Sequence, residues 1–261
     1  MVKRIVLFDK FYNISNISKQ KQLIGRYLKY INQFSQSFTH TNIRFKKLRK
    51  FDKRIEIEIS GPEEVFVYNI LKKEVGSVVN FNDINPNNIL KGNLVDVGKI
   101  GFGLFVDCAI LNPKTDVLVN LHMLREQLCN GEEKSIKYII KKYDFIDNYP
   151  VFIKIKSINK ESHQIEGEFD DTTMKFYKKL IDEKLEAILL SGETKGQLKK
   201  ALIRKGHLKD IISIERYGFL ENIVILKEGT NAVGIISEIG KYLRSCKLSV
   251  INPKRFETYF N

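Results

Sequence analysis

GKIGFGLFVDCAILNPKTDVLVNL, residues 98–121, is the stretch whose reading decides the fold. It reads as two strands, near 103–110 and 116–120, of a small β-barrel. Gly98, Gly101 and Gly103 precede LFVDCAI, which has strand character. A dinucleotide-binding glycine loop must instead open a helix, so that reading is rejected. In a tightly curled barrel such glycines serve close backbone approach and sharp bending. Phe102 and Phe105 cluster beside them, with Lys99 three residues before the first ring. An aromatic pair open to solvent on such a sheet stacks on unpaired bases. The competing reading leaves both rings partly buried under a neighbouring domain. Single-stranded RNA is the first expectation for a partner.

Working outward, further strands are expected near 90–97, 150–158 and 163–169, with helices around 122–129 and 133–143. Five strands with a helix before the fourth is the OB plan. The polar run NFNDINPNN, residues 80–88, favours turns and marks a boundary before this barrel. The preceding segment reads β-α-β-β-α. It has a strand over 2–8 and a helix over 17–36 with Ile24, Tyr27, Leu28, Ile31 and Phe34 at helical spacing. Strands over 41–48 and 54–60 follow, and a helix opens at Gly61-Pro62-Glu63-Glu64. After the barrel, Asp170 and Asp171 lead into a helix expected over 172–190, with Leu180, Ile181, Leu185, Ile188 and Leu189 as its apolar stripe. The rest reads α-β-β-α-β, with helices over 194–205 and 231–244 and strands near 211–216, 222–227 and 247–251. The expected class is α+β multidomain. An N-terminal α/β sandwich (1–80), a five-stranded OB-type barrel (81–171) and a small C-terminal α+β domain (172–261) follow one another.

The formal charge of +13 is unevenly placed. Residues 1–80 hold 16 basic and 7 acidic side chains, residues 81–171 hold 11 and 14, and residues 172–261 hold 17 and 10. A mildly acidic barrel thus lies between basic flanks, and phosphate attraction is expected from the flanks. No apolar run approaches the roughly 20 residues that span a bilayer. The opening MVKRIVLFDK reads as a strand rather than a signal peptide. Cys108, Cys129 and Cys246 are scattered without a CxxC pair, which suits neither a zinc site nor a disulfide framework. The expected setting is the cytoplasm, with no membrane partner, no metal and no cofactor.

Two basic clusters are candidate phosphate contacts or simply solvated faces. In RFKKLRKFDKR, residues 44–54, Arg44, Lys46, Lys47, Arg49, Lys50, Lys53 and Arg54 alternate with Phe45, Leu48 and Phe51. The second cluster holds Lys195, Lys199, Lys200, Arg204, Lys205, His207 and Lys209, where Lys200, Arg204 and His207 share a face if the helix continues. Gly229-Thr230-Asn231 opens a helix, with Thr230 as an expected N-cap. It is either a capped core helix or a phosphate site. Catalytic signals are thin. The four histidines lack metal-binding spacing, and no nucleophile elbow is present. Asp96, Asp107 and Asp116 read as turn and solvent-face residues.

Val95–Leu121 resembles the OB-type RNA-binding repeat first described in a large bacterial ribosomal protein, on Gly92, Gly103, Phe105, Val106, Asp107 and LVNL at 118–121. The resemblance implies base stacking at Phe102 and Phe105. The family's usual histidine after the third strand is Asn120 here, with His122 two residues on, and its late basic position is Gln164. GKIGFGLFVD (98–107), LHMLREQL (121–128) and KEGTNAVGIISEIGKYL (227–243) make the whole chain similar to an archaeal family, domain of unknown function 2110. That resemblance implies an information-processing role and no established reaction. The expectation is a non-enzymatic RNA-binding protein of archaeal translation, RNA processing or transcription. It would contact ribosomal, transfer or nascent RNA, with ribosome or RNA polymerase components as further expected partners and no small-molecule substrate. The alternatives are a protein-interaction adaptor and a non-catalytic subunit of an RNA-modifying enzyme.

Overall fold

Apolar residues alternate with charged ones along Ile55, Ile57 and Ile59, and this alternation builds the first sheet. In the computed structural model, which describes residues 2–14 and 16–260, Val2–Lys10 (β1), Asn42–Leu48 (β2) and Arg54–Ser60 (β3) pair antiparallel in the order β1-β3-β2. Helices Ile17–Asn32 (α1) and Glu64–Glu74 (α2) supply Leu23, Tyr27, Ile31, Val67 and Leu71 to the core against the three isoleucines. The helix expected over 17–36 ends at Asn32 and gives way to a 3-10 turn over 33–35.

The chain divides into two compact units, and the first joins residues 1–78 to the distant segment Gly218–Leu220. Phe219 stacks on Phe11 at 5.6 Å and meets Tyr27 edge-on at 4.8 Å. Its amide donates to buried Asp9 at 3.0 Å, and the Tyr27 hydroxyl donates to the same carboxylate. The expected boundary at 171 lies inside the second unit, residues 79–217 and 221–261. One apolar core there draws Leu104, Val106 and Ile153 from the middle segment and Tyr177, Leu189 and Ile251 from the C-terminal one.

The second unit starts with a short strand Val79–Asn80 (β4), then Ile89–Val95 (β5), Gly103–Leu111 (β6) and Thr115–Asn120 (β7). Helices Leu121–Cys129 (α3) and Ile136–Tyr143 (α4) follow, then strands Pro150–Asn159 (β8) and Gln164–Phe169 (β9). The order β6-β5-β8-β9-β7 closes on itself through β6–β7, and the β7–β9 pairing is parallel. This is a closed five-stranded barrel of the OB plan, with its helices between the third and fourth barrel strands. Alternate residues Leu104, Val106, Val117, Val119, Ile153 and Ile155 fill it.

Two glycines of the opening stretch have identifiable work. A Cβ on Gly103 would strike the Val119 carbonyl oxygen and lie 2.9 Å from Leu118 Cδ1. Gly98 has φ +84°, a left-handed conformation that side chains rarely adopt. Gly101 meets nothing within 4 Å.

Helix Asp171–Asp182 (α5) starts where the paired aspartates predict: Asp170 accepts from the Thr172 amide at 2.8 Å. The expected helix to 190 is wrong in its second half. The helix stops at Asp182, Lys184 turns left-handed at φ +53°, and Ala187–Ser191 is a strand (β10). Lys195–Arg204 (α6), Ile211–Arg216 (β11), Glu221–Leu226 (β12), Ala232–Ile239 (α7) and Lys247–Ile251 (β13) complete a sheet of order β11-β12-β10-β13. Every pairing in it is antiparallel, which is the split β-α-β, ferredoxin-like plan. Ile188 and Leu190 face the core of α6 and α7, whereas Ala187 and Leu189 face the barrel's core. A strand buried on both faces loses its alternation and reads like helix. The helix expected over 231–244 ends at Ile239, followed by a 3-10 turn Gly240–Tyr242.

Gly103→Ala is expected to lower stability by roughly 1–3 kcal/mol, the usual cost of overpacking. Gly101→Ala should stay within about 0.5 kcal/mol of the parent, as open surface sites do. Urea midpoints of the two variants check this, and equal midpoints would contradict the close approach of β6 and β7.

Candidate nucleic-acid interface

The outward face of the barrel is set by strand register. Phe105 stands between Val95 on β5 and Leu118 on β7, all three partly exposed. Phe102, at the end of the loop before β6, is 57% exposed. The two rings meet edge to face, with centroids 6.3 Å apart. Their backbone is fixed, because the Phe102 carbonyl accepts from the Leu121 amide at 2.8 Å where α3 begins. Neither ring belongs to the buried core: Phe102 is exposed and Phe105 partly buried.

The loop carrying Phe102 is tied at both ends. The Asp147 carboxylate accepts from the Val97 amide at 3.0 Å and pairs with Lys247 at 2.9 Å. Burial works to raise the Asp147 pKa, yet the Lys247 ion pair and the Val97 hydrogen bond outweigh it and hold the group below its ordinary value. Lys99 bonds Asp96, and that hydrogen bond raises the lysine's pKa. Its charge is therefore partly matched before any ligand arrives. Asn120 is the N-cap of α3 and accepts from the Met123 amide at 2.9 Å. His122 is exposed on the first turn of that helix. Asp116 and Glu166 lie beside Leu118, giving the aromatic face an acidic border.

The N-terminal cations are matched by carboxylates across the sheet. Lys46 lies 3.1 Å from Glu56 and 3.6 Å from Glu58, and Lys47 lies 3.3 Å from Glu56. Partial burial works to raise the Glu56 pKa, and the two lysines reverse that and lower it. Arg49 pairs with Asp52 at 3.3 Å and lies over the Phe51 ring at 4.2 Å. Arg54 does not face outward with the rest of its cluster: it is buried and donates to the Phe8 carbonyl at 3.1 Å, so it serves the core. Arg44 and Lys50 remain exposed, and among the described residues neither has an acidic partner. In the C-terminal cluster, Lys200 and Arg204 are exposed on α6. His207 does not extend their helical face: α6 ends at Arg204, and His207 lies 3.0 Å from Asp210 and 3.6 Å from Glu238.

The turn before α7 is already occupied by protein. Glu186 accepts from the Ala232 amide at 2.8 Å and from Asn252 at 2.7 Å. The N-cap is Asn231, not Thr230, and accepts from the Gly234 amide at 3.0 Å. An internal carboxylate thus fills the positive end of the helix. Among the described residues no cluster of three or more His, Cys, Asp or Glu side chains could hold a metal ion. Asp107 instead accepts from the Ala109 amide at 2.9 Å. No helix among them is long and apolar enough to cross a membrane.

Residues 186–251, from β10 through β13, match the family model described as the DUF2110 C-terminal domain. The match supports a likeness to an uncharacterised family. Among curated proteins no match to the chain is found. The solved structures similar to it include uncharacterized protein MJ1198 from Methanocaldococcus jannaschii. That likeness has 12% identity, covers 34% of this chain and 96% of that one, and has a TM-score of 0.24. The K3L protein of vaccinia virus is similar at 11% identity over 33% of this chain and 89% of that one, with a TM-score of 0.23.

Asp147→Asn is expected to lower stability near neutral pH. Because the folded pKa is depressed, the stabilisation is present above the ordinary aspartate value of 3.8 and is lost as pH falls through the lower folded value. Urea unfolding of parent and variant across that range checks the sign. A stability gap that persists undiminished at the acid end would contradict the Asp147–Lys247 anchor.

Proposed function

We propose that the barrel is a binding module for an unpaired RNA strand, acting as a binder rather than as an enzyme. The observation that carries this reading is the solvent-open Phe102 ring set edge-on to Phe105 on the barrel's outer face. Every base offers a flat π-face, and a stacked base contributes about 1–3 kcal/mol. Val95 and Leu118 extend the platform with apolar surface on either side of Phe105. The second sheet of this unit does not compete for the role. A four-stranded sheet of its plan reads RNA from an open face, and here both faces are covered by core.

Electrostatics decide what kind of contact the barrel makes. Lys99 is engaged by Asp96, and Asp116 and Glu166 border Leu118. Stacking, not phosphate neutralisation, is therefore the barrel's contribution, and phosphate contacts come from cations elsewhere on the chain. The RNA in view is a structured molecule with an unpaired segment in translation, RNA processing or transcription. The acidic border favours one second reading, a basic protein segment laid across the same rings.

A fluorescence-anisotropy titration with labelled oligouridylate separates them. Phe102→Ala/Phe105→Ala is expected to weaken RNA binding roughly tenfold or more with an unchanged urea midpoint. RNA binding equal to that of the parent, with loss of a cellular protein partner, would replace the first reading by the second.

A further inference from the structure

A second concave surface lies on the ferredoxin-like half of this unit. Gln197, Lys200, Ala201 and Arg204 on α6, together with Tyr242, line a cavity of about 360 Å³. The Arg204 guanidinium lies over the Tyr242 ring at 4.9 Å from its centroid, and the Lys241 ammonium at 5.3 Å. The ring's electron-rich face thus holds two cations that would otherwise repel. Lys200 sits one helical turn before Arg204, on the same side of α6.

The charge here is uncompensated. Helix α6 reads KGQLKKALIR, with four basic residues and no acidic one. The nearby Glu238 is engaged by Lys205 and His207. Among the described residues Lys200, Arg204 and Lys241 have no acidic partner. At the start of the same helix the Lys195 amine donates to the Ile214 carbonyl. Burial first, then the charges of Arg216 and Lys199, lower its pKa.

We propose that this cleft is a phosphodiester clamp. Lys200, Arg204 and Lys241 receive phosphate oxygens of the strand whose bases stack on the barrel, and Tyr242 orders the two cations over its ring. The planar guanidinium offers paired N–H donors to one phosphate, and the lysines add point charges. Ala201 leaves room at the floor of the cleft. This proposal rests on the RNA reading above but uses residues away from the aromatic pair.

The test is the salt dependence of oligouridylate binding to the full chain. For single strands the slope of log K against log salt is about 0.7 for each phosphate neutralised. Lys200→Gln/Arg204→Gln is expected to flatten the slope by about that amount per lost contact and to weaken binding most at low salt. Tyr242→Leu keeps every charge, so it should weaken binding while leaving the slope in place, which marks Tyr242 as a positioning residue. If Lys200→Gln/Arg204→Gln leaves slope and affinity unchanged while Phe102→Ala/Phe105→Ala weakens binding, the clamp is overturned and the barrel reading stands. If the reverse holds, the clamp stands and the barrel reading falls. No RNA binding by the parent chain overturns both.

Discussion

The closure of the barrel depends on how near β6 and β7 come to each other at Gly103. No side chain fits there, because the Val119 carbonyl occupies the space a Cβ would take. That approach lets Gly103 pair with Asn120 and Phe105 with Leu118, so Leu104 and Val106 point inward while Phe105 points out. A register slip of one residue would bury the ring and expose the valines. The position of the aromatic pair is therefore a consequence of packing. Phe102, just outside the strand, is held by its own carbonyl bond to the start of α3.

The barrel was legible because its signals are local. The glycines before the apolar run LFVDCAI and the polar run at 80–88 need no knowledge of distant partners. The strand Ala187–Ser191 was not legible for the opposite reason. Both of its faces are buried by separate cores, so five successive buried residues carry no period at all. The place of Phe219 was likewise out of reach. Its hydrogen bond to Asp9 spans 210 positions, and nothing near Gly218-Phe219-Leu220 points to it.

In the candidate site the sequence pointed to the aromatic pair but not to how open its rings are. Their exposure comes from the fold, which leaves Phe102 57% exposed. Counting lysines in RFKKLRKFDKR overstated the free charge, since register brings Glu56 and Glu58 under Lys46 and Lys47. Asn120 is engaged as a cap, and His207 is engaged by carboxylates. The reverse case is α6. There the sequence showed the cations, but only the fold brings Tyr242 beneath Arg204 from a turn 38 positions along (242 − 204). Surface charge is available to a ligand only after cross-strand and inter-helix pairing has been subtracted, and pairing is a property of register rather than of composition.

The central claim is that unpaired bases rest on the two barrel rings, and photo-crosslinking addresses it most directly. An oligonucleotide carrying 4-thiouridine would be bound to the full chain, irradiated and mapped by peptide mass spectrometry. The account predicts crosslinks in the peptide that carries Phe102 and Phe105. Crosslinks confined to peptides outside residues 96–120, or none at saturating RNA, would contradict it.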